Sequence, residues 1–301
     1  MTGVIFLSIS VLLFSTMEIS SKFISKDFNF LQLTFLRFFF GIFIFIFFIL
    51  LNKDLKKELG NLKIKNFLKI SSLGFINVFL SMVLLQYSVE KGNASVAAVL
   101  IGSHPIFVYI LNLIFLKEFD KVKLFKILIG ILGISFLLIF FKKLNRIDYL
   151  SYFAGLLSSF FFALFTFLSK RFLKDNSPVI TNFISFFSGI LFLSPFFFYQ
   201  KNYLLNLNSF NIPFLLYLGF FVTGFGYLLY YEGFKRLNVV DGSMLFFLKP
   251  FIATLLSIIL LKEKLTSSQI FGIFLIILSL TDFKKGIKIE SYNRIKKDNH
   301  S

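Results

Sequence analysis

The sequence predicts an all-α membrane protein with about ten transmembrane helices, arranged as two inverted five-helix repeats. Of the 301 residues, 57% are hydrophobic, and the mean hydropathy is +0.83, far above what a soluble domain of this length shows. The apolar residues fall into ten runs of about 20 residues, the length that crosses the hydrocarbon core of a bilayer. The two halves also resemble each other in sequence, and an odd number of helices per half inserts the second half in the opposite orientation.

The ten apolar runs follow one another with short polar connections between them. They cover residues 3–23, 30–51, 67–89, 94–116, 124–141, 150–169, 178–199, 211–233, 239–261 and 266–283. No Lys or Arg precedes Lys22 in the first run, and Glu18 lies where a signal peptide would have its small-residue cleavage site. We therefore expect the first run to remain as a spanning helix. Because the connections are short, we expect any chemistry to take place within the membrane.

The basic residues predict the orientation of the chain. The connections on the side of the N-terminus, together with the C-terminal tail, hold 21 Lys and Arg residues, and the opposite connections hold nine. The positive-inside rule then places both termini in the cytoplasm. The wealth of Phe, Lys, Ile and Asn is typical of an AT-rich bacterial genome, so the expected location is the bacterial cytoplasmic (inner) membrane. The net charge of +17 is explained by anionic lipid head groups in the bilayer, and no nucleic acid is expected as a partner.

Composition also limits the chemistry of the chain. There is no Cys and there are two His residues, His104 and His300, so disulfides and thiolate metal sites are excluded and no cofactor or metal is expected. A membrane-embedded enzyme would need a converging set of acids, bases or metal ligands. The runs contain few acidic residues, and we therefore expect the protein not to be an enzyme.

Three blocks repeat in the same order in the two halves. Residues 21–41 align on 169–189 with a shift of 148, and Ser21, Lys22, Lys26, Asp27 and Gly41 meet identical residues. A second block with a shift of 145 aligns Pro105 on Pro250 and 116–118 on 261–263, and 130–131 then matches 272–273. The expected domains are one repeat over 3–142, a second over 150–283, and a basic cytoplasmic tail over 284–301.

These residues resemble the EamA type of the drug/metabolite transporter superfamily over nearly the whole chain. The resemblance rests on small residues, a central proline, a Glu past the helix end and a following Gly in each half: Ala94, Pro105, Glu118 and Gly130, then Gly242, Pro250, Glu263 and Gly272. Arg37 also lies where the family often has an Arg. The resemblance implies two five-helix repeats and transport of a small molecule. Family members carry amino acids, sugars, nucleotide sugars, organic phosphates, polyamines or drugs.

The fourth and ninth runs contain the expected substrate site. Pro105 and Pro250 interrupt them at equivalent places, which is where transporters of inverted repeats bind substrate. Lys249 precedes one proline and His104 precedes the other. A lysine at mid-membrane depth is costly and faces protein or water. Lys249 either contacts a carboxylate or phosphate of the substrate or forms a structural ion pair, with Glu18 as the expected partner.

Other polar residues complete the predicted set. His104 either binds substrate or accepts a packing role beside the proline. Glu18 either couples transport to protons or pairs with Lys22 or Lys249. Arg37 is expected to be structural, and Glu118 and Glu263 are expected to anchor helix ends or form gates. Tyr109, Asn77 and Tyr227 are further substrate-binding candidates.

The sequence therefore predicts a secondary transporter that moves a small amino-acid-like or anionic metabolite by alternating access. Export is the direction we favour, although the same architecture can run either way along a gradient. Drug or toxic-compound efflux and flipping of a lipid-linked head group are the alternatives within the transporter class. The expected partners are the substrate and the lipid bilayer, and a homodimer is left open.

Overall fold

The computed structural model describes residues 2–139, 149–199, 205–261 and 267–280, which form helices and turns without any strand. The helices are α1 (Thr2–Phe23, interrupted at Thr16), α2 (Phe30–Leu51), α3 (Lys53–Gly60), α4 (Ile64–Lys91), α5 (Ala94–Leu116), α6 (Lys121–Ile139), α7 (Tyr149–Phe172), α8 (Pro178–Phe198), α9 (Asn211–Arg236), α10 (Val239–Met244), α11 (Leu248–Leu261) and α12 (Ser267–Ser279). A helix thus lies at every predicted apolar run. The predicted tail, 284–301, lies outside the described residues.

Seven of these helices are long and apolar enough to cross a membrane, and they are α1, α2, α4, α5, α7, α8 and α9. About half of the apolar stretch of each is buried inside the protein, and apolar side chains such as Phe47 and Phe153 lie on the outside. Large exposed apolar side chains over the length of many helices are what a lipid solvent requires. The protein is therefore an all-helical membrane protein.

The starts of α2 and α8 are fixed by equivalent side chains. The Asn29 Oδ1 atom accepts hydrogen bonds from the backbone N–H groups of Leu31 and Gln32, both at 3.0 Å. The Ser177 Oγ atom accepts from the N–H group of Ile180 at 3.2 Å. Both caps satisfy donors that a helix leaves unpaired at its first turn. They are 148 residues apart, the shift of the first repeated block.

Two lysines make the same contact in the two halves. Lys22 Nζ donates to three carbonyl oxygens at the end of α4, those of Val89, Glu90 and Gly92, at 2.9–3.0 Å. Lys170 Nζ donates to three at the end of α9, those of Phe234, Lys235 and Leu237, at 2.6–3.4 Å. A cation near the last carbonyls of a helix is favoured by the helix dipole. This contact explains why the repeat preserves a lysine at both positions.

The middle of α4 and the middle of α9 are both wound as π-helix, over Phe75–Met82 and Tyr217–Phe225. A π-helical turn contains an additional residue, and such segments are frequent at functional sites. Asn77 lies in the first segment and Thr223 in the second, and both side chains are fully buried. The π segments therefore direct polar groups into the interior of the bundle.

Helix pairs from different halves make the core. α1 packs along α9, α2 packs against α8 and α9, and α6 packs along α12. The contact between α4 and α8 is the closest, because a Cβ atom on Gly74 would lie 2.0 Å from the Ser185 carbonyl oxygen. Only a glycine allows two helix backbones to approach so closely, which is a common device in membrane helix packing.

Candidate functional site

A cavity with an empty volume of about 330 Å³ lies in the middle of the bundle, where the two halves of the chain meet. Each half supplies six of its lining residues: Phe14, Met17, Arg37, Met82, Leu85 and Ile101 from the first, and Phe162, Val222, Thr223, Tyr227, Phe246 and Lys249 from the second. The free space within it has room for about one water molecule, so a substrate can enter only if the lining side chains move. The cavity is mainly apolar and has a few polar groups that converge on it.

Lys249 lines this cavity and forms an ion pair with Glu18 of α1. The distance between Lys249 Nζ and Glu18 Oε1 is 2.6 Å, and the two residues are 3% and 0% exposed. Lys249 follows a short 3₁₀ turn, Leu245–Phe247, which separates α10 from α11. Of the two pairings expected for Glu18, the structure contains the one with Lys249, because Lys22 binds the carbonyls at the end of α4 instead. The pair links the first half of the chain to the second.

Arg37 lines the same cavity from α2 and is 2% exposed. Its Nη2 atom lies 3.5 Å from the thioether sulfur of Met82, and its guanidinium lies 5.4 Å from the ring centre of Phe38. Its Nε and Nη1 groups have no hydrogen-bond partner within the part of the chain that the structure describes. Glu18 and Lys249 both lie within electrostatic range of Arg37. The sequence predicts a structural role for Arg37; the structure places its side chain at the cavity, and its role stays a prediction.

His104 lies directly behind the cavity wall. Its ring packs nearly at right angles to Phe162 and Phe246, with ring centres 5.1 and 4.5 Å away. It is fully buried, and its ring nitrogens make no hydrogen bond of normal geometry with the described residues. The structure thus places His104 against two lining rings rather than on the cavity surface.

Both prolines lie at breaks in their helices, as predicted. α5 is interrupted between Ala94–Gly102 and the segment that begins at His104, with Pro105 in its first turn. Pro250 lies in the first turn of α11, and a Cβ atom on Gly102 would lie 2.9 Å from its Cδ atom. The two interrupted helices therefore cross at the level of the prolines, next to the cavity.

Tyr227 and Asn77 join the two halves near the cavity. Tyr227 of α9 lines the cavity, and its hydroxyl donates a hydrogen bond to Asn77 Oδ1 of α4 at 3.2 Å. Asn77 is fully buried, and its Nδ2 group has no partner among the described residues. The pair offers one spare amide donor next to the charged groups.

Tyr109 and Glu118 lie elsewhere, around a polar cavity at one end of the bundle. The Tyr109 hydroxyl donates to the Asp120 carbonyl at 3.0 Å, and the Glu118 carboxylate accepts from Asn112 Nδ2 at 3.3 Å. The structure therefore separates Tyr109 from the other candidate substrate contacts. Glu263 lies outside the described residues, so its expected gate role stays a prediction.

Sequence reasoning missed the aromatic walls of the central cavity. Phe14, Phe162 and Phe246 surround Tyr227 and Lys249, and Phe14 packs 5.0 Å from the ring of Tyr227. With 49 Phe residues in the chain, no single Phe stands out by type or spacing. Only the fold distinguishes these three from the Phe residues that face lipid.

The arrangement can bind a charged small molecule. Two cations and one carboxylate meet in a space with apolar walls, where charge interactions are much stronger than in water. In the described ranges, no three His, Cys, Asp or Glu side chains come together in a way that could hold a metal ion.

Known proteins resemble this chain in sequence and in fold. The chain is similar to an uncharacterized transporter of Clostridium kluyveri, with 27% identity over 97% of this chain and 96% of the relative. It is also similar to the uncharacterized transporter YyaM of Bacillus subtilis, with 26% identity over 76% of this chain and 77% of the relative. A protein of known crystal structure has the same fold, with a TM-score of 0.75 over 97% of this chain and 98% of that one, at 14% identity.

The family match covers both halves separately. Residues 1–139 and residues 149–281 each match the EamA-like transporter family. Together they include every residue that lines the central cavity. The chain therefore belongs to the EamA-like transporter family.

Proposed function

We propose that the protein is a secondary transporter of ten transmembrane helices in the bacterial cytoplasmic membrane, which exports a small amino-acid-like or anionic metabolite by alternating access. The observation that carries the proposal is the central cavity at the boundary of the two halves, which is lined by Arg37 and Lys249, with Glu18 paired to Lys249. Buried ionisable residues of membrane helices are retained for ligand or ion pathways, because they are costly in hydrocarbon. A site shared between repeats is where transporters of this architecture bind substrate.

The helix contacts support two inverted repeats, one over 3–142 and one over 150–283. α1 packs along α9, and its counterpart α7 packs along α4. Likewise α2 packs against α9, and its counterpart α8 packs against α4. Each of these contacts between the halves thus has an equivalent contact, in which the helix of the first half is replaced by its counterpart in the second half and the other way round. The lysine contacts at the ends of α4 and α9 lie within one half each and are equivalent to each other, and the family matches each half separately.

The contacts between connections support alternating insertion, with both termini on the cytoplasmic side. On one face, the Ser177 N–H group donates to Glu58 Oε1 at 2.6 Å, and Lys123 forms an ion pair with Asp241 at 2.9 Å. On the other face, Asn211 Nδ2 donates to Asp27 Oδ2 at 3.1 Å. The first face holds the more basic connections, as the positive-inside rule expects of the cytoplasmic side.

The transport cycle follows from this arrangement. One repeat rocks against the other around the central site, which opens to one side of the membrane at a time. The Glu18–Lys249 pair and the Tyr227–Asn77 hydrogen bond both cross between the halves at the cavity. Both contacts would have to adjust when the halves move, so substrate binding between them is able to bias that motion.

A lipid-linked head-group flippase is the second candidate, and one observation favours it. An apolar side cavity with an empty volume of about 850 Å³ opens between α1 and α9, lined by Thr16, Ile19, Ser20, Phe23, Pro213, Phe214, Tyr217 and Leu256. Such a cavity would suit an acyl chain while a head group entered the bundle. The two cations at the central cavity, Arg37 and Lys249, favour a free metabolite, and we place that function first.

Single-cysteine labelling tests the inverted repeats. Lys26 and Lys174 are equivalent positions of the repeat, both are exposed, and the natural chain has no Cys. In intact cells, a membrane-impermeant maleimide should label Lys26→Cys and should label Lys174→Cys only after the membrane is opened. Labelling of both from the same side would contradict the inverted arrangement.

Transport by purified protein in proteoliposomes tests the function itself. Vesicles should exchange at least one radiolabelled compound from a panel of amino acids and small organic acids faster than protein-free vesicles do. A lipid-linked probe that moves between leaflets, with no exchange of any soluble compound, would replace the first candidate with the second.

A further inference from the structure

We propose that the substrate is an organic monoanion with an apolar body, and that Arg37, rather than Lys249, binds its acidic group. The inference rests on the proposed function and specifies the chemical class of the substrate. The sequence indicates Lys249 as the cation that contacts substrate and Arg37 as structural, and the proposal assigns substrate binding to Arg37 instead.

Lys249 already has a counter-charge, the carboxylate of Glu18. Glu18 Oε1 lies 2.6 Å from Lys249 Nζ, and both side chains are buried. An anion that binds Lys249 must compete with a carboxylate that is permanently present at hydrogen-bond distance. Because both charges are desolvated, separating them is costly. Lys249 is therefore a poor first contact for a substrate anion.

Arg37 has no such partner in the part of the chain that the structure describes. Its Nε and Nη1 groups make no hydrogen bond with any described residue, and Nη2 reaches only the weakly accepting sulfur of Met82. A guanidinium stays protonated in proteins, and leaving its donors unsatisfied in a buried place is costly. Its planar fork matches a carboxylate through two parallel hydrogen bonds. An acidic group in the cavity would supply the acceptors that the protein lacks.

The net charge of the site favours an anion. Arg37 and Lys249 contribute two positive charges and Glu18 contributes one negative charge, so the site carries one excess positive charge. A bound monoanion brings the total to zero. A zwitterion leaves the excess in place, and its ammonium group reaches a carboxylate only by displacing Lys249 from Glu18. A cation raises the excess, which is unfavourable in a low dielectric.

The apolar lining of the cavity indicates the character of the rest of the substrate. Eight of the twelve lining residues have apolar side chains, and Phe14, Phe162 and Phe246 supply flat walls. His104 lies behind Phe162 and Phe246, where it adds no charge contact at the cavity surface. Apolar groups that enter such a space are favoured by about 25 cal/mol per Å² removed from water. The chemistry of the lining thus matches a small branched or aromatic carboxylate.

Three probes with the same isobutyl group and different charge test the substrate class. They are 4-methyl-2-oxopentanoate (anion), leucine (zwitterion) and 3-methylbutylamine (cation), each added to purified protein in detergent. At a concentration about ten times its Kd, the anion should raise the melting temperature by about 3 °C, since ligand binding stabilises the folded state. The other two should have no effect at the same concentration. A larger shift with leucine or the amine, or no shift with the anion at about 10 mM, would overturn the inference.

Two matched variants test the residue assignment. Arg37→Gln should weaken binding of 4-methyl-2-oxopentanoate by about 30-fold or more, because it removes charge-assisted hydrogen bonds. The double variant E18Q/K249M removes the ion pair without changing the net charge of the site, and it should weaken binding of the anion less than Arg37→Gln does. If the double variant loses the anion, Lys249 is the anchor and the assignment to Arg37 fails, whether or not Arg37→Gln folds.

Failure of this inference is distinguishable from failure of the proposed function. If proteoliposomes exchange leucine and leucine stabilises the protein, the protein is a transporter and the substrate class is wrong. If the anion binds through Arg37 and no panel compound crosses the membrane, the substrate class stands and transport fails.

Discussion

Removing one member of the buried Glu18–Lys249 pair should lower the free energy of unfolding more than removing both members does. At a separation of 2.6 Å, the Coulomb attraction is about 6 kcal/mol with an effective dielectric constant of about 20. Desolvation of both groups offsets most of this attraction, so the pair as a whole adds little stability. Removing one partner, in contrast, leaves an uncompensated buried charge and costs about 3–5 kcal/mol.

The two single variants should differ, because Arg37 lies nearby. Lys249→Met leaves Glu18 with Arg37 as a remaining counter-charge, so we expect a loss of about 3 kcal/mol. Glu18→Gln leaves two cations without a carboxylate, so we expect about 5 kcal/mol. The double variant E18Q/K249M restores the balance and should lose about 2 kcal/mol, less than either single variant.

Equilibrium unfolding of purified protein in mixed micelles, with SDS as the denaturant and circular dichroism as the signal, measures these differences. The coupling energy should be about 6 kcal/mol, since the single losses sum to far more than the double loss. Additive losses would show that the two charges do not interact in the folded protein. A smaller loss for Glu18→Gln than for Lys249→Met would refute the role given to Arg37.

Two further predictions concern packing and helix ends. Gly74→Ala should destabilise the protein by about 2 kcal/mol, because its new methyl group would meet the Ser185 carbonyl at 2.0 Å, whereas Gly60→Ala, which meets nothing within 4 Å, should be neutral or slightly stabilising. The same unfolding assay measures both, and equal effects would show that the two helices can separate at no cost. Lys22→Met and Lys170→Met should each lose about 1 kcal/mol, because each removes hydrogen bonds from a partly exposed ammonium to helix-end carbonyls. A loss confined to one of them would contradict their equivalence in the repeat.

Much of the fold was predictable because the signals are local. The length of an apolar run, the polar connections between runs and the caps at Asn29 and Ser177 depend on residues close in sequence. The break at Pro105 and the break at Pro250 follow from the missing backbone N–H of proline. The described helices accordingly begin and end within a few residues of the predicted runs. The π-helical segments of α4 and α9 were not predicted, because no residue type in them distinguishes a π turn from an α turn.

The candidate site was predictable only in part. Lys249 was recognisable, since a lysine within an apolar run is rare and costly. Tyr109 has the residue type expected of a substrate contact, yet its hydroxyl is used by the backbone of Asp120 at one end of the bundle. The sequence cannot show this, because helical spacing tells which residues share a face and not which neighbour covers it.

By itself, the sequence determined that this chain lies in a membrane, where its helices run, and that blocks of one half recur in the other, because hydropathy and repetition are properties of residue order. Only the tertiary structure decided which charges meet. Glu18 and Lys249 come from opposite ends of the chain, and their contact leaves Arg37 Nε and Nη1 without a hydrogen-bond partner among the described residues. Whether a buried charge is neutralised depends on distances between helices, and those distances are fixed by packing across the two halves rather than by any local pattern.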